Sequence, residues 1–114
     1  MFAKLKRLVA AAVLLCASTT VIGADYGFDI TNDTGNTITY LYVSPETSEY
    51  WEQDVLGKDG LLRPGKTQHV NLSGYKTPVF DIRLVDEDGD RYTFWKVDVS
   101  KQDLTVTRGN RDDD

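Results

Sequence analysis

The chain has 114 residues, with 13 lysines and arginines against 18 aspartates and glutamates and a formal net charge of −5. A charge of that sign disfavours phosphate backbones and anionic membrane surfaces as partners, and fits a basic protein, a cation or simple solubility. One histidine and one cysteine supply no assembled catalytic set, so the composition gives no positive reason to expect an enzyme.

Residues 1–24 read as a cleaved signal peptide. Lys4, Lys6 and Arg7 form a positive start, residues 8–17 (LVAAAVLLCA) are apolar, and Ile22-Gly23-Ala24 makes a cleavage site. The apolar run is short of the roughly 20 residues a membrane helix needs. Leu15 precedes Cys16 where a lipidation site wants a small residue, so a lipid anchor is the lesser reading. Cleavage implies a periplasmic or secreted protein with no membrane insertion. It removes three basic residues, Lys4, Lys6 and Arg7, taking the formal charge from −5 to −8, and it removes the one cysteine. Without a disulfide the core alone must hold the fold. A domain of this size buries only about 60–65% of its unfolded surface. Tyr26, Phe28, Tyr40, Tyr42, Phe80, Tyr92, Phe94 and Trp95 are the expected aromatic stabilisers.

Residues 26–31 alternate Phe28 and Ile30 with polar neighbours, the period of a half-buried strand. Residues 32–36 (NDTGN) form a turn in which Asn32 and Asp33 can bond nearby amides. Residues 37–43 (TITYLYV) are β-branched and aromatic, with no polar face, which predicts a central strand covered on both sides. Ser44-Pro45-Glu46 carries the residues of a helix start, Ser44 as N-cap and Pro45 in the first turn. The spacing therefore predicts a short helical insert over residues 44–57, docked by Tyr50, Trp51, Val55 or Leu56 and closed by Gly57. Residues 67–72 form a weakly patterned strand near an edge. Residues 79–86 (VFDIRLVD) and 91–99 (RYTFWKVDV) flank Asp88-Gly89, a hairpin signal. Residues 104–108 are expected to close a three-strand meander, and residues 109–114 to be a disordered acidic tail. The whole predicts an all-β fold: a single small β-sandwich over residues 25–108, with six to seven mostly antiparallel strands.

Two stretches are candidates for chemistry. Asp86, Asp88 and Asp90 cluster at the hairpin, and hard cations such as calcium want several carboxylate oxygens. The stretch is not an EF-hand, because Arg91 and Val97 stand where that loop needs glycine and glutamate. A soluble acidic turn explains the same residues. Tyr50 and Trp51 are the second candidate, an aromatic pair suited to anchoring a partner protein or stacking on a sugar. Alternatively Trp51 staples the insert to the sandwich. His69, within a strand, is expected to face solvent.

In order along the chain stand Asn32-x-Thr34-Gly35, LYVSP at residues 41–45, Ser48, Trp51, Asp54, Leu56-Gly57, FDIR at residues 80–83, Asp88-Gly89 and Val97-Asp98-Val99. This pattern resembles a family of small secreted bacterial domains of unknown function, sometimes appended to caspase-like peptidases. The resemblance covers nearly all of the chain after the signal and implies no activity, cofactor or catalytic residue. Members often carry a cysteine before the Phe-Asp-Ile strand and another after the Val-Asp strand. Here those neighbourhoods read Pro78-Val79 and Val99-Ser100, which implies a disulfide replaced by packing. The expected function is a non-enzymatic binding module engaging another protein through residues 44–57, with a calcium-dependent module as the alternative.

Overall fold

The computed structural model describes residues 23–56 and 59–113. Among the described residues six strands form: β1 (Ala24–Asp33), β2 (Ile38–Pro45), β3 (Thr67–Tyr75), β4 (Val79–Asp86), β5 (Arg91–Asp98) and β6 (Leu104–Thr107). They form two three-stranded sheets, ordered β3-β1-β6 and β2-β4-β5, packed as a small β-sandwich. The expected signal lies outside the described residues except for Gly23 and Ala24, and Ala24 already pairs with Tyr75. Gly57 also lies outside them.

Alternation builds the core. Phe28, Ile30, Val70, Leu72 and Val106 point inward from one sheet, and Leu41, Val43, Phe80, Ile82, Leu84, Tyr92 and Val97 from the other. At one end, Phe80 meets Tyr75 and Tyr26 edge-on, with ring centroids at 5.0 and 6.3 Å, so aromatic edges from both sheets close the interior there. At the other end the polar side chain of Asn32 is fully buried. Its Nδ2 donates to the carbonyls of Asn36 and Leu62, and its Oδ1 accepts from the Thr34 amide and hydroxyl. Those four bonds satisfy the side chain and fix the β1–β2 turn, where Gly35 takes a φ of 88° that few side chains tolerate.

Four expectations need correction. β6 does not extend a meander: it pairs parallel with β1, Ile30 opposite Leu104, so the chain changes sheets after β5. β2 is not central but lies at the edge of its sheet, with β4 in the middle. A bulge between Ile38 and Tyr40 puts Ile38, Leu41 and Val43 inside and leaves Tyr40 and Tyr42 on the outer face. No helix forms in the described part of residues 44–57. Ser44 and Pro45 finish β2, and Ser44 Oγ accepts from the Glu52 amide instead of capping a helix. The segment returns along the β2 edge, where Asp54 bridges Tyr42 and its Oδ1 takes the Leu41 amide at 2.9 Å. This shields an edge that would otherwise present free amides. Finally, residues 109–113 are docked rather than loose. A 3-10 turn, Arg108–Asn110, leads into a bridge between Arg111 and Tyr92, and Asp112 caps the Thr93 amide at 2.8 Å.

Candidate functional site

The acidic hairpin is a closed network. Asp86 is almost fully buried, and its Oδ1 accepts the amides of Asp88 and Asp90 at 2.9 and 3.0 Å. Its Oδ2 accepts from the Tyr92 hydroxyl at 3.0 Å, Arg108 Nη1 at 3.3 Å and Asn36 Nδ2 at 3.4 Å. Burial pushes the Asp86 carboxyl upward, but the amides and the Tyr92 hydroxyl outweigh it and hold the group below its ordinary value. The three carboxylates Asp86, Asp88 and Asp90 do converge, each offering an oxygen within 4.8 Å of the others. The chain brings its own cations to the same place. Arg108 Nη2 lies 3.4 Å and Arg111 Nη1 3.5 Å from Asp90, and Arg108 also donates to the Tyr92 hydroxyl at 2.9 Å. A polar depression of about 370 Å³ opens beside this network, lined by Asp90, Arg91, Arg111 and Asp112 among others.

The insert brings Trp51 onto the outer face of the β2-β4-β5 sheet. Its ring centroid lies 5.7 Å from that of Trp95, and the Arg83 guanidinium carbon sits 4.9 Å from the Trp51 ring centre. Trp51 thus packs against the sheet's outer surface rather than the core. Tyr50 beside it is 57% exposed. Register explains the rest of the face: Tyr42, Arg83 and Thr93 stand opposite one another across the three strands, and Tyr40 stacks on Tyr42 at 6.0 Å. Trp95 and Tyr40, expected to help stabilise the core, are instead 56% and 48% exposed.

A β-bulge sets the position of Trp95. Phe80 faces Val97 and Ile82 faces Phe94, so Asp81 alone opposes both Trp95 and Lys96. Lys96 takes a φ of 54°, and the buried Asp81 carboxylate accepts its amide at 2.8 Å. The extra residue turns Trp95 and Lys96 both toward solvent. Sequence reading picks out Tyr50 and Trp51 but misses Trp95, Arg83 and Asp81, because only strand register shows that they meet. The one early signal is Arg83 between Ile82 and Leu84, at a position alternating with core residues.

His69 lies on the outer face of the other sheet. Its Nδ1 meets Asp29 Oδ1 at 2.7 Å and its Nε2 meets Asn71 Oδ1 at 3.1 Å. The Asp29 bond raises its pKa above the ordinary value. A second groove, of about 360 Å³, runs between the insert and β3 past Val43, Val55, Leu72 and Tyr75, where Glu52 accepts from the Tyr75 hydroxyl.

No family model, curated protein or solved structure matches the chain. Among the described residues, no helix is long and apolar enough to cross a membrane.

Proposed function

We propose that this chain is an exported, non-enzymatic interaction module that engages another protein through residues 44–57 and the adjoining sheet face. Export rests on the pattern of residues 1–24. The observation that carries the reading is the aromatic surface itself. Trp51 is seated against Trp95 and Arg83 on the outer face, with Tyr50 exposed beside it. Trp, Tyr and Arg are the residues that dominate binding energy at protein interfaces. A photo-crosslinking residue at position 50, introduced in cells making the full chain, should trap one reproducible partner. Binding of that partner, once purified, should fall by tenfold or more in Trp51→Ala. Crosslinks that form equally from a position on β3 would remove the insert from the binding surface.

The second reading is a calcium-dependent module at Asp86, Asp88 and Asp90, and the convergence of their oxygens is what favours it. Against it stand Arg108 and Arg111, which already neutralise Asp86 and Asp90. A thermal melt in millimolar calcium and then in excess chelator decides. The expected result is no shift; a rise of several degrees that disappears in Asp88→Ala establishes a metal site.

A further inference from the structure

We propose that the outer face of the β2-β4-β5 sheet receives an acidic segment of the partner protein, with Arg83 gripping a carboxylate and Trp95 supplying the neighbouring apolar contact. This rests on the interaction-module reading and adds the chemistry of the partner to it.

Arg83 is held in place without using the atoms that would bind an anion. Its Nε donates to Thr93 Oγ1 at 3.0 Å, and that hydroxyl donates onward to Asp112 Oδ2 at 2.5 Å. The ring of Trp51 flanks the guanidinium carbon. Orientation is thus fixed from one edge and one face of the guanidinium. Among the described residues, no hydrogen bond or ion pair takes its two terminal nitrogens. Those nitrogens form the planar fork that matches a carboxylate with two parallel bonds.

The charge on this face is unbalanced as well. Burial lowers the Arg83 pKa, nearby Arg91 lowers it further, and Asp112 offsets them only in part. Arg91 and Lys96 are exposed. The imbalance is local to Arg83: Asp112 stands beside it and Asp54 acts on Tyr42 on the same face, yet at the guanidinium itself burial and Arg91 outweigh Asp112. An anion arriving there compensates the charge of the partly desolvated Arg83 and offsets its repulsion from Arg91.

Complementarity also selects the occupant. A second copy docked through the same face brings two copies of the cationic Arg83 site into one interface, since a two-fold contact pairs each patch with itself. The Trp51 ring is flanked by the Arg83 guanidinium and by Trp95, which disfavours a sugar stacked on it. The exposed Tyr50 and Trp95 rings make a carbohydrate the competing occupant to test. A protein segment bearing Asp or Glu beside an apolar side chain meets the fork and Trp95 together.

The chain has two tryptophans, and both lie on this face, so intrinsic fluorescence reports on it directly. The probes are a blocked hexapeptide of Asp, Glu and Phe, its Asn/Gln/Phe isostere, and an oligogalacturonate, each titrated into the full exported chain. The acidic peptide should give a saturable change that weakens with added salt. The isostere should bind at least about tenfold more weakly, as loss of a charge-assisted bidentate contact requires. Arg83→Gln, with its melt measured alongside, should remove that preference for acid. Equal binding of the two peptides to the native chain overturns the carboxylate inference while leaving the interaction module intact, and needs no variant to interpret. Tighter binding of the oligogalacturonate overturns the protein partner and with it the module reading as stated. No response to any probe below millimolar concentration overturns the inference alone, because the position-50 crosslink judges the module separately.

Discussion

The tip and the middle of the β4–β5 hairpin use charge in opposite ways. At the tip, Asp86 is buried and surrounded by donors: two amides, a tyrosine hydroxyl, an arginine and an asparagine. Further along the same strand, Arg83 is half-buried, with one nitrogen satisfied and its fork open. The first arrangement is complete and so favours structure. The second spends only enough bonds to hold a cation still, which is what a preorganised recognition group requires. Clustered like charges are therefore a poor guide to a binding site unless the bonds they already make are counted.

The comparison breaks most visibly at Asp86. Asp86→Ala should cost about 3 kcal/mol or more, because it strands the Tyr92 hydroxyl, two amides and Arg108. The melting temperature should then fall by on the order of 15 °C. A fall of only a few degrees would mean that the network is not what holds the tip together. Acid probes the same group. The folded pKa of Asp86 is depressed, so its contribution is present above the unfolded carboxyl value of about 3.9 and is lost as pH falls through the lower folded value. Stability should decline steeply below about pH 4, and urea midpoints measured across that range should show a shallower decline in Asp86→Asn.

Trp51→Ala sharpens the other side. It removes one partner of a tilted aromatic pair on a solvent-facing surface, for a cost of about 1 kcal/mol. Partner binding should collapse while the melt drops by only a few degrees. A loss as large as that of Asp86→Ala would make Trp51 a structural staple instead. The smallest effect belongs to His69. Its folded pKa is raised by Asp29, so the pair stabilises fully below the unfolded value of about 6.5 and the contribution disappears as pH rises through the higher folded value. Titration by NMR should place the His69 transition above that of Asp29→Asn, with little change in melting because the pair is solvent-exposed.

How much of this was legible depended on whether the signal was local. β4 was readable to both ends because residues 79–86 alternate cleanly and Asp88-Gly89 marks the turn. The partner of β6 was not, since four residues of LTVT fit either sheet and only the packed core decides. The helix expected at Ser44 failed for a similar reason. Ser-Pro-Glu is a sound helix start in isolation, yet the Ser44 hydroxyl and the Asp54 carboxylate are committed to Glu52 and Leu41 across a loop. Acidic residues at 112–113 looked like a solvated tail because composition cannot show that Asp112 finds the Thr93 amide. At the candidate site the sequence shows Tyr50 and Trp51, while Arg83 and Trp95 join them only through register and a bulge. Tertiary pairing, not propensity, assembles that surface.

The parallel pairing of β1 with β6 has a consequence for the order in which the molecule is made. The amide of Asp29 is tied to the carboxylate of Asp103 across a sequence separation of 74 residues, just where β6 begins. A ribosome adds residues N-terminus first, so β1 must wait with one flank open until almost the whole chain has been synthesised. The first strand out is thus among the last to be completed, a long-range closure of the kind that slows folding. The sandwich therefore cannot lock before its final strand has been delivered.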